Sequence, residues 1–206
     1  YKIIMKKILE RSIFETKNLN TKELRESFLL ENLMEEDKVN LYYTMVERFV
    51  VGGAQPINAK LSLGNFENLK SEFFLERREL GIINTGNTGI ITADGETYHL
   101  EKLSCLYLGK GTKDIQFESV DSKNPASFFM ISTLAHQKYD NCLFTKEMAE
   151  PVEMGSTENA NQRTIFKYIH KNGIKSCQLV MGLTVLKTGS IWNTMPAHTH
   201  DRRSEV

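Results

Sequence analysis

Gly89-Ile90-Ile91-Thr92-Ala93-Asp94-Gly95-Glu96-Thr97-Tyr98-His99-Leu100 places two strand-like runs on either side of an Asp-Gly pair. Asp-Gly suits a two-residue hairpin turn, where both central residues take positive φ. The stretch therefore predicts two antiparallel strands, and the same grammar repeats outward from it. Upstream, Leu41 to Val51 is rich in Tyr, Val, Phe and Thr, with Gly52-Gly53 read as its break and Pro56 as a turn. Leu61 to Leu63 is a short strand, and Phe73 to Asn84 (FFLERRELGIIN) a longer one that ends at a Gly86-Asn87 turn. Downstream come Cys105 to Leu108, a Gly109-Lys110-Gly111 turn, Asp114 to Ser119, and Phe128 to Ser132. Short strands with turns at this spacing predict a sandwich or barrel rather than a βαβ fold. Gly109-Lys110-Gly111 lacks the P-loop pattern and no helix follows it, so it reads as a turn.

The flanks differ. Residues 1–40 read as an N-terminal extension with one short helix over residues 21–30. Asn20 and Glu23 form its capping-box pattern, and Leu24, Phe28 and Leu29 share one face. Residues 139–162 are polar and read as a connector. A second β region follows, with Arg163 to Ile169, a buried strand from Gln178 to Leu186, a Thr188-Gly189 turn, and Ile191 to Met195 leading into the last eleven residues. Trp192 and Met195 read as core or pocket wall. The predicted partition is residues 1–40, residues 41–150 as a β unit without metal ligands, and residues 151–206 as the start of a second, metal-binding β unit that is incomplete.

The chain has 206 residues and zero formal net charge. No basic face or nucleic-acid motif is visible, which argues against a nucleic-acid partner. No apolar run approaches the ~20 residues of a membrane helix, so no membrane partner is expected. Cys105, Cys142 and Cys177 are odd in number and far apart, so free thiols and a reducing, cytoplasmic setting are expected.

The chemistry concentrates in Pro196-Ala197-His198-Thr199-His200-Asp201-Arg202-Arg203-Ser204-Glu205-Val206. Residues two apart in an extended strand face the same way, so His198 and His200 can address one ion. Glu205 has the wrong parity for the same straight strand and joins them only if the chain bends at Asp201 to Ser204. Nitrogen and oxygen donors without thiolate suit Zn, Fe, Mn, Co or Ni and argue against a structural Cys-rich zinc site. Arg163, Arg202 and Arg203 are candidates to clamp a substrate carboxylate. For any single arginine, an ion pair with Glu76, Glu79 or Asp201 is the plainer reading. His99, His136 and His170 have no ligand partners at a useful spacing. No residue identifies itself as the catalytic base. A weak internal repeat aligns Glu76-Arg77-Arg78-Glu79-Leu80 with the Asp201-to-Val206 run. Phe73, Phe74 and Leu75 then stand before it in place of the histidines, which predicts that they are buried and metal-free.

FFLERRELGIIN, LYLGKG, RTIFKY, CQLVMGLT and above all GSIWNTMPAHTHDRRSEV resemble the 5-keto-4-deoxyuronate isomerase family, and the His-x-His with a following Glu looks like the cupin metal signature. The resemblance runs from about Thr21 to the end of the chain. It implies a mostly β protein of two cupin-like antiparallel barrels, the second truncated. It also implies one zinc per subunit on His198, His200 and Glu205, with a fourth ligand, a histidine, expected past Val206. A homohexamer is implied too, as is an aldose–ketose isomerisation of 5-dehydro-4-deoxy-D-glucuronate to 3-deoxy-D-glycero-2,5-hexodiulosonate in pectin and uronate breakdown. The same ligands would also serve an iron-dependent cupin oxygenase, or a cupin that binds sugars without turnover.

Overall fold

The computed structural model describes residues 5–194, 196, 198, 200, 201 and 204–206. Its strands are β1 (Lys6–Ile8), β2 (Val39–Thr44), β3 (Val50–Ala54), β4 (Leu61–Ser62), β5 (Arg78–Asn84), β6 (Gly89–Ala93) and β7 (Glu96–Leu100). There follow β8 (Cys105–Leu108), β9 (Ile115–Ser119), β10 (Phe128–Leu134), β11 (Cys142–Phe144), β12 (Val152–Met154), β13 (Arg163–Ile169) and β14 (Met181–Leu186). The helices are α1 (Ile13–Thr16) and α2 (Thr21–Phe28). The protein is mostly β, as the turn spacing predicts.

The strands form three sheets, ordered β1-β2-β3-β10-β5-β8-β11, β4-β9-β6-β7 and β12-β13-β14. All pairings are antiparallel except β1 with β2. Among the described residues no ladder joins the edges of the first two sheets, so they make an open sandwich rather than a closed barrel.

The period of two along each strand divides the seven-stranded sheet between two cores. Leu80 and Ile82 of β5, Leu106 and Leu108 of β8, and Phe128 and Met130 of β10 pack toward the four-stranded sheet, against Ile91 and Phe117. Their alternates, Ile83, Cys105, Tyr107 and Ile131, pack the other way, against Phe166, Tyr168, Leu179 and Met181. A sheet covered on both faces leaves no solvent side for polar residues, so β5 and β8 read as almost unbroken apolar runs. Gly81 marks how close the third sheet comes, since a Cβ there would lie 2.6 Å from Met181 Sδ. Burial pushes the Cys105 thiol up, which fits a cysteine serving as packing.

The hairpin at Asp94-Gly95 forms as predicted, with φ of 50° and 86°. The α2 capping box also forms, Asn20 Oδ1 accepting from Glu23 N at 3.1 Å and Glu23 Oε2 accepting from Asn20 N at 2.8 Å. A second capping box, Ser12 with Glu15, starts α1 inside the stretch left without an assignment.

Several expectations need correction. Gly52 and Gly53 do not break a strand; they lie inside β3, where a Cβ on Gly52 would meet Asn40 O at 2.4 Å. They are glycines because β2 and the chain before it pass too close for a side chain. The break falls instead at residues 45–49, where Glu47 and Arg48 take positive φ. The strand expected from Phe73 begins only at Arg78. Phe74 and Leu75 are buried, but Phe73 is half-buried with Lys113 Nζ 5.5 Å from its ring centroid. Residues 178–180 are loop, and the connector over residues 139–162 holds β11 and β12. Trp192 is 47% exposed rather than core, while Met195 lies outside the described residues.

One turn supplies a direct pH test. Asp37 Oδ1 accepts from the backbone N–H groups of Ile57, Asn58 and Ala59, and Oδ2 accepts from Asn58 Nδ2. These bonds favour the carboxylate, the Ile57 N–H most, and draw its pKa from 3.8 down to about 2. A pKa depressed on folding adds stability above the unfolded value, and that stability is lost as pH falls through the folded one. Asp37→Asn should therefore lower Tm at pH 7, with the gap to wild type closing as pH falls from about 4 to about 2. Parallel melting curves across that range check it.

Candidate metal centre

Beyond β14 the chain turns at Gly189, then Ile191 N and Trp192 N both donate to Ala160 O at 2.8 and 3.1 Å. Farther on, Ser204 N donates to Glu47 Oε2 at 3.3 Å, which ties the tail to the turn between β2 and β3. Glu205 and Val206 thereby line an open cleft of about 820 Å³, together with Arg48, Phe49, Thr133, Cys177 and Leu179.

Two contacts link the three predicted donors. His198 Nε2 lies 3.0 Å from His200 Nε2, so the two imidazoles do face each other, as their spacing of two predicts. The bend at Asp201 brings Glu205 back, with Oε1 2.5 Å from His200 Nδ1. The three form a chain of contacts rather than a ring about one point, because Glu205 holds the far side of the His200 ring. Among the described residues no group of three His, Cys, Asp or Glu side chains converges on one position.

Hydrogen bonding assigns the tautomers. His198 Nδ1 lies 2.9 Å from Pro196 O, which can only accept, so Nδ1 carries the proton. His200 Nδ1 faces a carboxylate and carries its proton for the same reason. With both rings neutral, the two Nε2 atoms then present lone pairs to each other at 3.0 Å. Two acceptors at that distance repel unless a proton or a cation lies between them. Two nitrogens bound to one tetrahedral zinc sit about 3.3 Å apart, given Zn–N bonds of about 2.0–2.1 Å. The pair therefore fits a cation with little movement. Glu205, bonded as it is, stands where a carboxylate orients a metal-binding histidine. The His200–Glu205 pair is about half exposed, with side chains 40% and 59% accessible, so it contributes little to stability alone.

The predicted arginines fare differently. Arg163 opens β13; its Nη1 donates to Asn161 O at 2.9 Å, while its buried Nε makes no hydrogen bond among the described residues. No described contact joins it to the histidines. Arg202 and Arg203 lie outside the described residues. Among the described residues no ion pair joins Arg163 to Glu76, Glu79 or Asp201; Glu76 instead pairs with Arg77 at the surface, at 3.5 Å. Arg78 points into the sandwich, donating to Ser132 Oγ, Ser132 O and Arg48 O. Burial without a carboxylate partner lowers its pKa to about 10.

Two features of the cleft wall were missed by reading along the chain. Glu79 is fully buried, and its carboxylate accepts from Tyr107 Oη and from the backbone N–H groups of Cys177, Gln178 and Leu179, each at 2.7 Å. It holds the loop before β14 against the seven-stranded sheet. The signal was present: a carboxylate amid a strand buried on both faces must find donors. His136, read as having no partner at a useful spacing, contacts Cys177 across 41 positions of sequence, a pairing no local spacing encodes.

The chain matches the model of the KduI/IolB family over residues 29–206. It is 49% identical over 181 residues to the 4-deoxy-L-threo-5-hexosulose-uronate ketol-isomerase of Halalkalibacterium halodurans, covering 88% of this chain and 66% of that protein. The protein of the same name from Formosa agariphila is 50% identical over 179 residues, at 87% and 64% coverage. That of Yersinia enterocolitica is 45% identical over 181 residues, at 87% and 65%. The chain thus spans just under two thirds of the length of these curated relatives. Among solved structures, an IolB-like protein from Salmonella typhimurium LT2 aligns over 62% of this chain and 47% of its own, at a TM-score of 0.48 and 10% identity. With a match across most of its length and relatives near half identical, the chain belongs to the KduI/IolB family.

Proposed function

We propose that this chain carries the metal-binding part of a uronate ketol-isomerase, which interconverts 5-dehydro-4-deoxy-D-glucuronate and 3-deoxy-D-glycero-2,5-hexodiulosonate. The family match and the names of the relatives support the reaction class. The observation that carries the site is the pair of bare imidazole nitrogens 3.0 Å apart. In this reading His198 and His200 hold a divalent cation, zinc, and Glu205 either fixes the His200 tautomer or turns in to complete the ligand set. A cation there would supply Lewis-acid polarisation of the substrate's carbonyl and neighbouring hydroxyl oxygens. The chain's own residues do the rest. Pro196 O and Glu205 accept hydrogen bonds from the Nδ1 atoms of His198 and His200, which orients both Nε2 atoms toward the cation. The cleft beside Glu205 receives the sugar. Arg163, Arg202 and Arg203 remain the candidates to grip its carboxylate in parallel hydrogen bonds. The β12-β13-β14 sheet opens the second of two cupin-like units, the first having no ligands, and the subunits assemble as a homohexamer.

The test is isomerisation under argon. Zinc-loaded protein should convert the keto-uronate to the ketose product with no oxygen consumed. Turnover that needs iron and consumes oxygen would establish the oxygenase instead. Binding of the uronate with no conversion by the metal-loaded protein would make the chain a sugar-binding cupin.

A further inference from the structure

We propose that Cys177 is a modification site, a thiol in the cleft wall that His136 primes for reaction with low-molecular-weight disulfides. The inference does not depend on the isomerase reading.

Cys177 Sγ lies 3.2 Å from His136 Nδ1 and 3.7 Å from Nε2. Of the chain's three cysteines, Cys105 is buried within the sheet packing and Cys142 sits half-buried on the edge strand β11. Cys177 alone both lines the large cleft and has an imidazole against its sulfur, among the described residues. An imidazole at that distance can take the thiol proton and then stand as a cation beside the thiolate, the reactive form. His136 is exposed, so small disulfides can reach the pair from solvent. The sulfur is also held in place. Cys177 N donates to Glu79 Oε2 at 2.7 Å, and the next two N–H groups bind Oε1 of the same carboxylate. The Glu79 charge opposes a thiolate nearby, but four donors, Tyr107 Oη included, are turned onto it. Glu205 lines the same cleft and opposes a thiolate as well. His136, against the sulfur, and Arg48, in the lining of the same cleft, are the groups that offset both.

The step balances as a thiol–disulfide exchange. The Cys177 proton passes to His136. Sγ attacks one sulfur of the small disulfide, an Sγ–S bond forms, and the S–S bond breaks with its electron pair on the departing sulfur. That thiolate takes the proton from His136. The result is a mixed disulfide in the cleft wall, reversible by excess thiol, which narrows the cleft beside Glu205.

The probe is an aromatic disulfide whose leaving thiolate is coloured, used on the folded full chain, with peptide mapping to locate the adduct. One fast thiol is expected at pH 7, mapped to Cys177 and absent in Cys177→Ser. His136→Asn should slow it about 10-fold and move its pH profile toward that of an ordinary thiol. A fast adduct on Cys142, or an unchanged rate in a folded His136→Asn, overturns the proposal. Should His136→Asn fail to fold, the wild-type pH profile decides. A rate that persists below neutral pH supports the pair, whereas one that tracks the ionisation of a free thiol overturns it.

Discussion

Glu79→Ala should destabilise the protein by about 3–5 kcal/mol, the scale for removing one partner from a buried charged group. The carboxylate is fully buried, and four donors depend on it. Three are consecutive backbone N–H groups, which have no side-chain freedom to find other partners. Without them the loop over residues 176–180 loses its hold on β5, and Leu179 and Met181 lose their fixed seat beside Gly81. Glu79→Gln should fall between alanine and wild type, because the amide keeps one acceptor but turns an NH2 group toward backbone donors. Urea denaturation measures the loss, and amide exchange at residues 177–179 should quicken well before global unfolding. A Glu79→Ala variant within 1 kcal/mol of wild type (on the order of a surface change) would contradict the role given to this carboxylate.

His198→Ala should remove bound divalent metal and isomerase activity together. The substitution leaves His200 Nε2 with one neighbour fewer and the cation with at most one imidazole. His200→Ala should do the same. Glu205→Gln separates two roles. If Glu205 orients His200 through Nδ1, as its present bond suggests, metal affinity should fall about 10–100-fold, the scale for outer residues. If it binds the cation directly, the loss should match that of His198→Ala. Zinc titration of the three variants beside wild type gives the comparison, and full activity in His198→Ala would refute the assignment.

Much of the fold was legible because it rests on local rules. Asp94-Gly95 demands positive φ, Asn20 and Glu23 satisfy helix N–H groups over one turn, and β-branched runs between turns can do little but pair. What escaped depended on distant packing. Gly52-Gly53 looks like punctuation in sequence, yet it is the neighbouring chain, Asn40 against Gly52 and Leu33 against Gly53, that forbids a side chain there. Gln178 to Val180 has the composition of a strand, but Glu79, about a hundred positions earlier, captures the N–H groups of Cys177, Gln178 and Leu179 before a ladder can. The site follows the same division. The face shared by His198 and His200 comes from the period of two, whereas Glu79 and the His136–Cys177 contact come from tertiary structure that spacing cannot show.

X-ray absorption at the zinc edge of the metal-loaded protein tests the central claim most directly. One zinc per chain is expected, with at least two imidazole nitrogens at about 2.0–2.1 Å and oxygen donors completing the shell. A shell with fewer than two imidazoles, or with a sulfur at about 2.3 Å that places the ion on Cys177 and His136 instead, would contradict it.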